Sequence, residues 1–377
     1  MVSDADNLGE ETDGEKIPPD LSITRELFLK WRSPRVGAST PELVTNPVWD
    51  WLVRSRKSAY QANEHFKGPN AMDAGPCWCF DRFGQSLTQL SDGRIVLIAG
   101  EHEDHYDPDF YIYNDVVVKH PDGRIEIFGY PRDIFPATDF HSATLVGNQI
   151  IIIGNLGYPA NRKPGTTQVL ALDTTTFTIA SVQTSGAAPG WIHEHSAVLS
   201  EDRDSILVRH GKLDRGGKDK SLVENIDDWR LHLADWRWER LTERHWLRWD
   251  VIRSDGQRNH LWEIQQAAWS RSVGWDKELR EQMDQLEEDL GTRPELDQVA
   301  NLFHPTIPHE EMAKVEDEYN VFRNKIDGVL IRYVVNMDSI QMSIEGDLSQ
   351  TQVDVVTSDL VRKMSALENT NFVLKQL

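Results

Sequence analysis

Hydrophobic residues in this chain fall into short runs, and three of those runs recur in the same order with the same neighbours. The first extends from Phe83-Gly-Gln-Ser-Leu-Thr-Gln-Leu to Arg94-Ile-Val-Leu-Ile-Ala-Gly100. The second goes from Phe140-His-Ser-Ala-Thr-Leu-Val to Gln149-Ile-Ile-Ile-Ile-Gly154, and the third from Glu194-His-Ser-Ala-Val-Leu to Asp204-Ser-Ile-Leu-Val-Arg-His-Gly211. Apolar runs this short, ended by glycine, predict buried strands rather than helices. Ser86, Ser142 and Ser196 mark equivalent places, 56 and 54 residues apart. Each copy continues into a second strand pair: Tyr111 to Val118 with Ile125 to Phe128, Gln168 to Leu172 with Phe177 to Val182, and Trp229 to Leu233 with Trp238 to Leu241. A repeat of about 50 residues carrying four short strands predicts an array of antiparallel sheets.

Outside residues 76–246 the periodicity changes. Thr24 to Arg32 predicts a short amphipathic helix, and Asn46-Pro-Val-Trp-Asp-Trp-Leu-Val53 predicts another with Pro47 in its first turn. These form a helical apron over the first repeat, spanning 23–75 after an acidic tail at 1–22. Between 247 and 316, Trp262 and Trp269 at heptad spacing, then Leu279, Met283, Leu286 and Leu290, predict a helical connector. From 317 to 377 the pattern is a small α+β domain: strand Gly328 to Val335, strand Ile340 to Ile344, helix Val353 to Leu367 and strand Phe372 to Leu374, with Ser349 and Thr351 as helix-capping residues.

The order within the repeat is a His-Ser-Ala start, an apolar strand ending in glycine, a variable loop, a strand with its Asp, a short turn, an aromatic-led strand and a Pro-containing return. That order resembles the kelch repeat of the galactose-oxidase-type β-propellers. The resemblance covers residues 76–246, and each copy keeps one glycine of the usual pair, in Ala99-Gly100, Gly154-Asn155 and His210-Gly211. It implies a mainly β fold with a kelch-like β-propeller, incomplete or with degenerate blades, between helical flanks and the C-terminal domain. Closed propellers have about four to eight blades. Three visible copies leave edges that extra blades or self-association into a homo-oligomer are expected to cover.

Charge narrows the function. Among 377 residues, 40 are Lys or Arg and 61 are Asp or Glu, a net of −21. Nucleic-acid binding rests on neutralising phosphates, so no nucleic-acid partner is expected. No run of 18 apolar residues is present, so no membrane span is expected either. Met1 to Asp20 lacks the basic start and apolar stretch of a signal peptide, and the only cysteines are Cys77 and Cys79; together these predict a cytoplasmic protein.

In an antiparallel meander the loop between the second and third strands shares an end with the connection to the next repeat. That rim collects long loops, and its candidate binding residues are His102, Asp104, His105, Asp107, Tyr158, Arg162, Trp191 and His193. The His and carboxylate groups are metal-capable types, but no stretch has a recognised ligand spacing, so no metal and no cofactor is assigned. The loop Lys212 to Lys220 lacks the phosphate-loop spacing, and no nucleophile elbow occurs. His141 and His195 share one repeat position with Gln85, which predicts buried residues bonded to backbone at the repeat junctions rather than catalytic ones. Trp229 and Trp238 are expected to pack between repeats.

Two functions follow. The kelch resemblance implies a protein-interaction module that binds a protein partner through the rim. The alternative is an enzyme acting on a small polar substrate, a sugar or an acid, through rim His and carboxylate groups, with or without a metal.

Overall fold

The computed structural model describes residues 22–69, 71–102, 108–216, 222–244, 246–314 and 320–377. The chain divides into two compact units, Met1–Glu243 and Arg244–Leu377. It is mainly β, with antiparallel sheets in both units and seven helices among the described residues.

Unit 1 holds three antiparallel meanders. Their strands are Ser86–Gln89, Ile95–Ile98, Asp115–Lys119 and Ile125–Gly129; then Ser142–Val146, Gln149–Ile153, Val169–Asp173 and Ile179–Ser181; then Ser196–Leu199, Ser205–Arg209, Trp229–His232 and Arg237–Arg240. Register is equivalent in all three, for Ser86 pairs with Ile98, Ser142 with Ile153 and Ser196 with Arg209.

The alternation of side chains explains the stacking. Val96, Ile98, Val116 and Val118 of the first meander pack against Ile150, Ile152, Leu170 and Leu172 of the second. The opposite face of the second, with Ile151, Ile153 and Val169, packs on Ile206, Val208, Trp229, Leu231 and Trp238 of the third. Strands buried on both faces read as continuous apolar runs, which is why the Ile150 to Ile153 run carries no polar alternation.

The two ends of this stack are finished differently. On the first meander, Leu97, Val117 and Ile127 are covered by Phe28, Val48, Trp49 and Leu52 of the N-terminal helices. Those helices are Arg25–Trp31, Pro47–Ser55 and Ala59–His65, capped by Thr24, Asn46 and Ser58. On the third meander, the positions of Ile98 and Val118 are taken by Arg209 and Arg230. Their charges are matched by Arg209–Asp228 at 3.3 Å and Arg230–Glu239 at 3.6 Å, and His232 Nε2 lies 2.9 Å from the same Glu239. A polar outer face is how the last module of a stacked array ends. The outer strand edges are also occupied: Glu42–Leu43 pairs with Ile125–Gly129, and Ser185–Gly186 lies parallel to Arg237–Arg240. Among the described residues of unit 1 there is no fourth meander.

Unit 2 is a six-stranded antiparallel sheet in the order Glu310–Glu311, Val321–Ile326, Val329–Val335, Ile340–Glu345, Leu247–Arg253, Phe372–Gln376. Helices Leu261–Val273, Asp276–Leu290 and Gln350–Leu367 supply much of its core, with Leu261, Ile264, Leu286, Val356, Leu360 and Met364 buried against Ile331, Tyr333 and Met342. Ser349 caps the last helix in a capping box with Gln352, while Thr351 lies inside the helix. The helical expectation for the segment after residue 247 fails at its start. Leu247–Arg253 is a strand, because it inserts between Ile340–Glu345 and Phe372–Gln376 and places Val251 in the core. Two aromatics at heptad spacing said nothing about the residues ahead of them.

Candidate functional site

The rim of unit 1 is built from the same backbone device used three times. The residue two places before each repeat serine is Gly84, Phe140 or Glu194, with φ of 60°, 47° and 53°. This left-handed turn costs roughly 1 kcal/mol for a residue other than glycine. It fixes the direction of the residue just before it, and that residue is Phe83, Asp139 or His193. Asp139 and His193 therefore come from equivalent places in adjacent meanders, and both are fully buried.

Asp139 Oδ1 accepts the Gly157 N–H at 2.6 Å, and the Glu101 side chain is near enough to act on its titration. Burial is the largest influence on this carboxyl and raises its pKa above the ordinary carboxylate value, against the opposing pull of the Gly157 N–H, Glu101, His193 and Arg162. His193 Nδ1 is 3.3 Å from Glu194 Oε1, and Glu194 Oε2 is 2.8 Å from Lys212 Nζ. Those neighbours, the His193 ring first, hold the Glu194 carboxyl down at about 2.

The eight rim residues expected from the sequence have different fates. Asp104, His105 and Asp107 lie outside the described residues. His102 is buried in the hairpin Glu101–His102 with Tyr111–Ile112, and burial lowers its pKa. Tyr158 accepts the Ile112 N–H at 2.9 Å through its hydroxyl. Arg162 donates to the Leu156 carbonyl at 3.0 Å and reaches Asp214 Oδ2 at 3.4 Å. Trp191, 6 % exposed, donates its indole N–H to the same Leu156 carbonyl at 3.0 Å. Arg162 and Trp191 thus bind the loop that follows Asn155, Tyr158 turns from it to Ile112, and Asp139 holds it through Gly157, while His193 pairs with Glu194; these side chains are buried or half-buried rather than standing out from the rim.

No protein-family model matches this chain. No curated protein matches it either. Among solved structures, one titled "Structure of YjhT" is similar at a TM-score of 0.33 and 14% identity, over 42% of this chain and 55% of that one. This chain therefore spans little more than half the length of that structure.

His141 and His195 are buried, as the repeat position implies, but their partners are side chains and not backbone. His141 Nε2 lies 2.8 Å from Ser86 Oγ, and His195 Nε2 lies 2.8 Å from Ser142 Oγ. Each imidazole binds the serine of the preceding meander. In the first copy Gln85 turns to its own meander, donating to the Ala99 carbonyl at 3.3 Å, and in the last copy Ser196 donates to the Arg209 carbonyl at 3.2 Å. Burial drives the two imidazoles down to about 4 and about 3, which keeps them neutral at pH 7.

Sequence reasoning missed Asp139, Glu101, Asp214 and Lys212. The signal for Asp139 was present: it is the counterpart of His193, which was selected. Both residues occupy one column of the repeat, three places before Ser142 and Ser196.

Proposed function

We propose that unit 1 is a kelch-like propeller segment, open after three blades, that binds a small polar ligand at its loop rim. The observation that carries this reading is that Asp139 and His193 are buried at equivalent repeat places within electrostatic reach of each other, with Glu101 acting on Asp139 and with Glu194 and Lys212 leading from His193 to solvent. The Glu194 and Lys212 side chains are 37% and 46% exposed. Packing alone does not call for buried ionisable groups here, since apolar side chains of similar volume hold such a position equally well. Ionisable clusters with shifted pKa values are characteristic of sites that bind or move charge. Asp139, its pKa raised by burial, can exchange one proton with a hydroxyl, amine or acid of the ligand.

A small ligand is favoured over a protein partner by the state of Trp191 and Arg162. The side-chain types that anchor protein interfaces are here spent on the Leu156 carbonyl and on Asp214. The test is a thermal-shift and NMR titration of the full chain with a panel of hydroxylated acids, sugars and amines. A ligand that binds the natural chain and loses at least tenfold in affinity in both Glu101→Gln and Lys212→Gln supports the reading. Ligands indifferent to both changes, or no binding from the panel, overturn it.

A further inference from the structure

A second group of chemistry-bearing side chains lies in unit 2, far along the sequence from the rim. We propose that His304, His309 and Glu311 form a three-ligand site for a divalent transition metal of the zinc class, with its remaining coordination position open to an adjoining cleft.

The geometry begins with the loop. Phe303-His-Pro-Thr-Ile-Pro-His309 carries Pro305 and Pro308, whose fixed φ values restrict the turn between the two imidazoles. The backbone at His304 is held firmly: its carbonyl accepts Lys363 Nζ at 2.5 Å, the Asn301 carbonyl accepts the same ammonium at 3.0 Å, and Asn324 Nδ2 donates to the Phe303 carbonyl. Glu311 lies on the strand Glu310–Glu311, whose pairing with Val321–Ile326 sets Glu311 opposite Asn324. The proline turn and the strand thus bring one ligand atom from each of the three residues within 4.8 Å of the other two.

Two details fit a bound metal. First, His304 Nδ1 and Glu311 Oε1 are 3.3 Å apart. Two atoms each about 2.1 Å from one tetrahedral ion stand about 3.4 Å apart, so this edge of the coordination polyhedron is already formed. Second, His309 Nδ1 lies 2.9 Å from the Ile307 carbonyl. Only a protonated Nδ1 satisfies that carbonyl, so the lone pair is left on Nε2, the arrangement in which a backbone carbonyl orients a metal-binding imidazole. Two imidazoles and a carboxylate with one open place is a ligand set zinc accepts when it also binds water or substrate.

The open place has a destination. A cleft of about 180 Å³ is lined by His304, Glu311, Lys314, Phe322 and Arg323. Lys314 Nζ stands 4.9 Å over the Phe322 ring. Cationic residues beside a metal's vacant position suit a water or an anionic group there.

The test uses the full chain, stripped with a chelator and titrated with Zn²⁺ by calorimetry, then with Co²⁺ by absorption spectroscopy. One equivalent of Zn²⁺ is expected, with Co²⁺ giving the intense visible bands of four-coordinate geometry. His304→Ala with His309→Ala should weaken Zn²⁺ binding at least a hundredfold, and Glu311→Gln, on a side chain 66% exposed, about tenfold. Thermal unfolding of the metal-free variants is measured alongside; Glu311→Gln is too exposed to disturb the loop, so it tests the site even if the double variant unfolds. Absence of stoichiometric binding, or binding that Glu311→Gln leaves unchanged, overturns the proposal.

Discussion

Ser86 Oγ and His141 Nε2 stand 2.8 Å apart, and Ser142 Oγ and His195 Nε2 repeat that distance one meander further on. The serine belongs to one sheet and the imidazole to the next, so each pair ties neighbours that otherwise meet through apolar contacts. A neutral buried hydrogen bond contributes about 1 kcal/mol net. A double-mutant cycle of Ser86→Ala with His141→Gln should give a coupling energy near that figure by urea denaturation. Strict additivity would show that the two groups are only neighbours.

The same histidines set an acid limit. Their folded pKa values, about 4 and about 3, lie below the ordinary 6.5, so the unfolded chain takes up protons first as pH falls. Stability from this source is complete above pH 6.5 and is lost as pH drops towards 4. Replacing both by glutamine, the residue at position 85, should flatten the stability profile between pH 7 and 4.5 by a few kcal/mol. Denaturation series at pH 7, 5.5 and 4.5 check it; parallel profiles for natural and variant chains would contradict it.

Gly154 offers a test of the repeat geometry. Its φ is +77°, and a Cβ there would stand 2.4 Å from the Ile192 carbonyl and 2.6 Å from the His195 ring. Gly147 has a φ of +61° with open space around it. Gly147→Ala should cost about 1 kcal/mol from backbone strain alone, and Gly154→Ala about 3 kcal/mol or more, because the carbonyl cannot move aside. Equal melting-temperature losses would refute the crowding argument.

Arg209 and Arg230 keep the last meander from presenting an apolar face. Changing them to the Ile and Val found at the matching places in the first meander should raise the mean mass seen by light scattering, with little change in circular dichroism. A mass unchanged at 50 μM or so would mean that charge at these positions is dispensable.

Unit 2 has its own titration near neutrality. Glu368 is buried, accepts the His260 N–H at 2.8 Å, and has its pKa raised by burial to about 7. The folded pKa exceeds the ordinary 4.5, so stability from this group is present below pH 4.5 and lost as pH rises through 7. Glu368→Gln should reduce the decline of unit 2 stability between pH 5 and 8, followed by the fluorescence of Trp262 and Trp269 during denaturation.

The three-meander plan was legible because its signal is local: a strand of Ile or Val, a glycine and a serine in fixed order locate each sheet without knowledge of its neighbours. Strand Leu247–Arg253 was not, because its strand character comes from partners at Ile340 to Glu345 and Phe372 to Gln376, about 90 and 120 residues away. The rim was legible as a place and less so as chemistry. Loop residues such as Trp191 and Arg162 looked like exposed anchors, since composition does not say that the Leu156 carbonyl would claim both. His304, His309 and Glu311 escaped because their spacing matches no familiar ligand motif and their approach depends on a turn and a strand pairing set by the fold.

The strand order of unit 2 bears on when each part of the chain can fold during synthesis. Every principal sheet in unit 1 is made from neighbouring segments, so each can close soon after it leaves the ribosome. Leu247–Arg253 has no such neighbour and must wait until Ile340 to Glu345 and then Phe372 to Gln376 have been made. Val251, near the centre of that waiting strand and fully buried in the finished sheet, therefore stays open to chaperones and proteases until its partners Ile340 and Leu374 have been made.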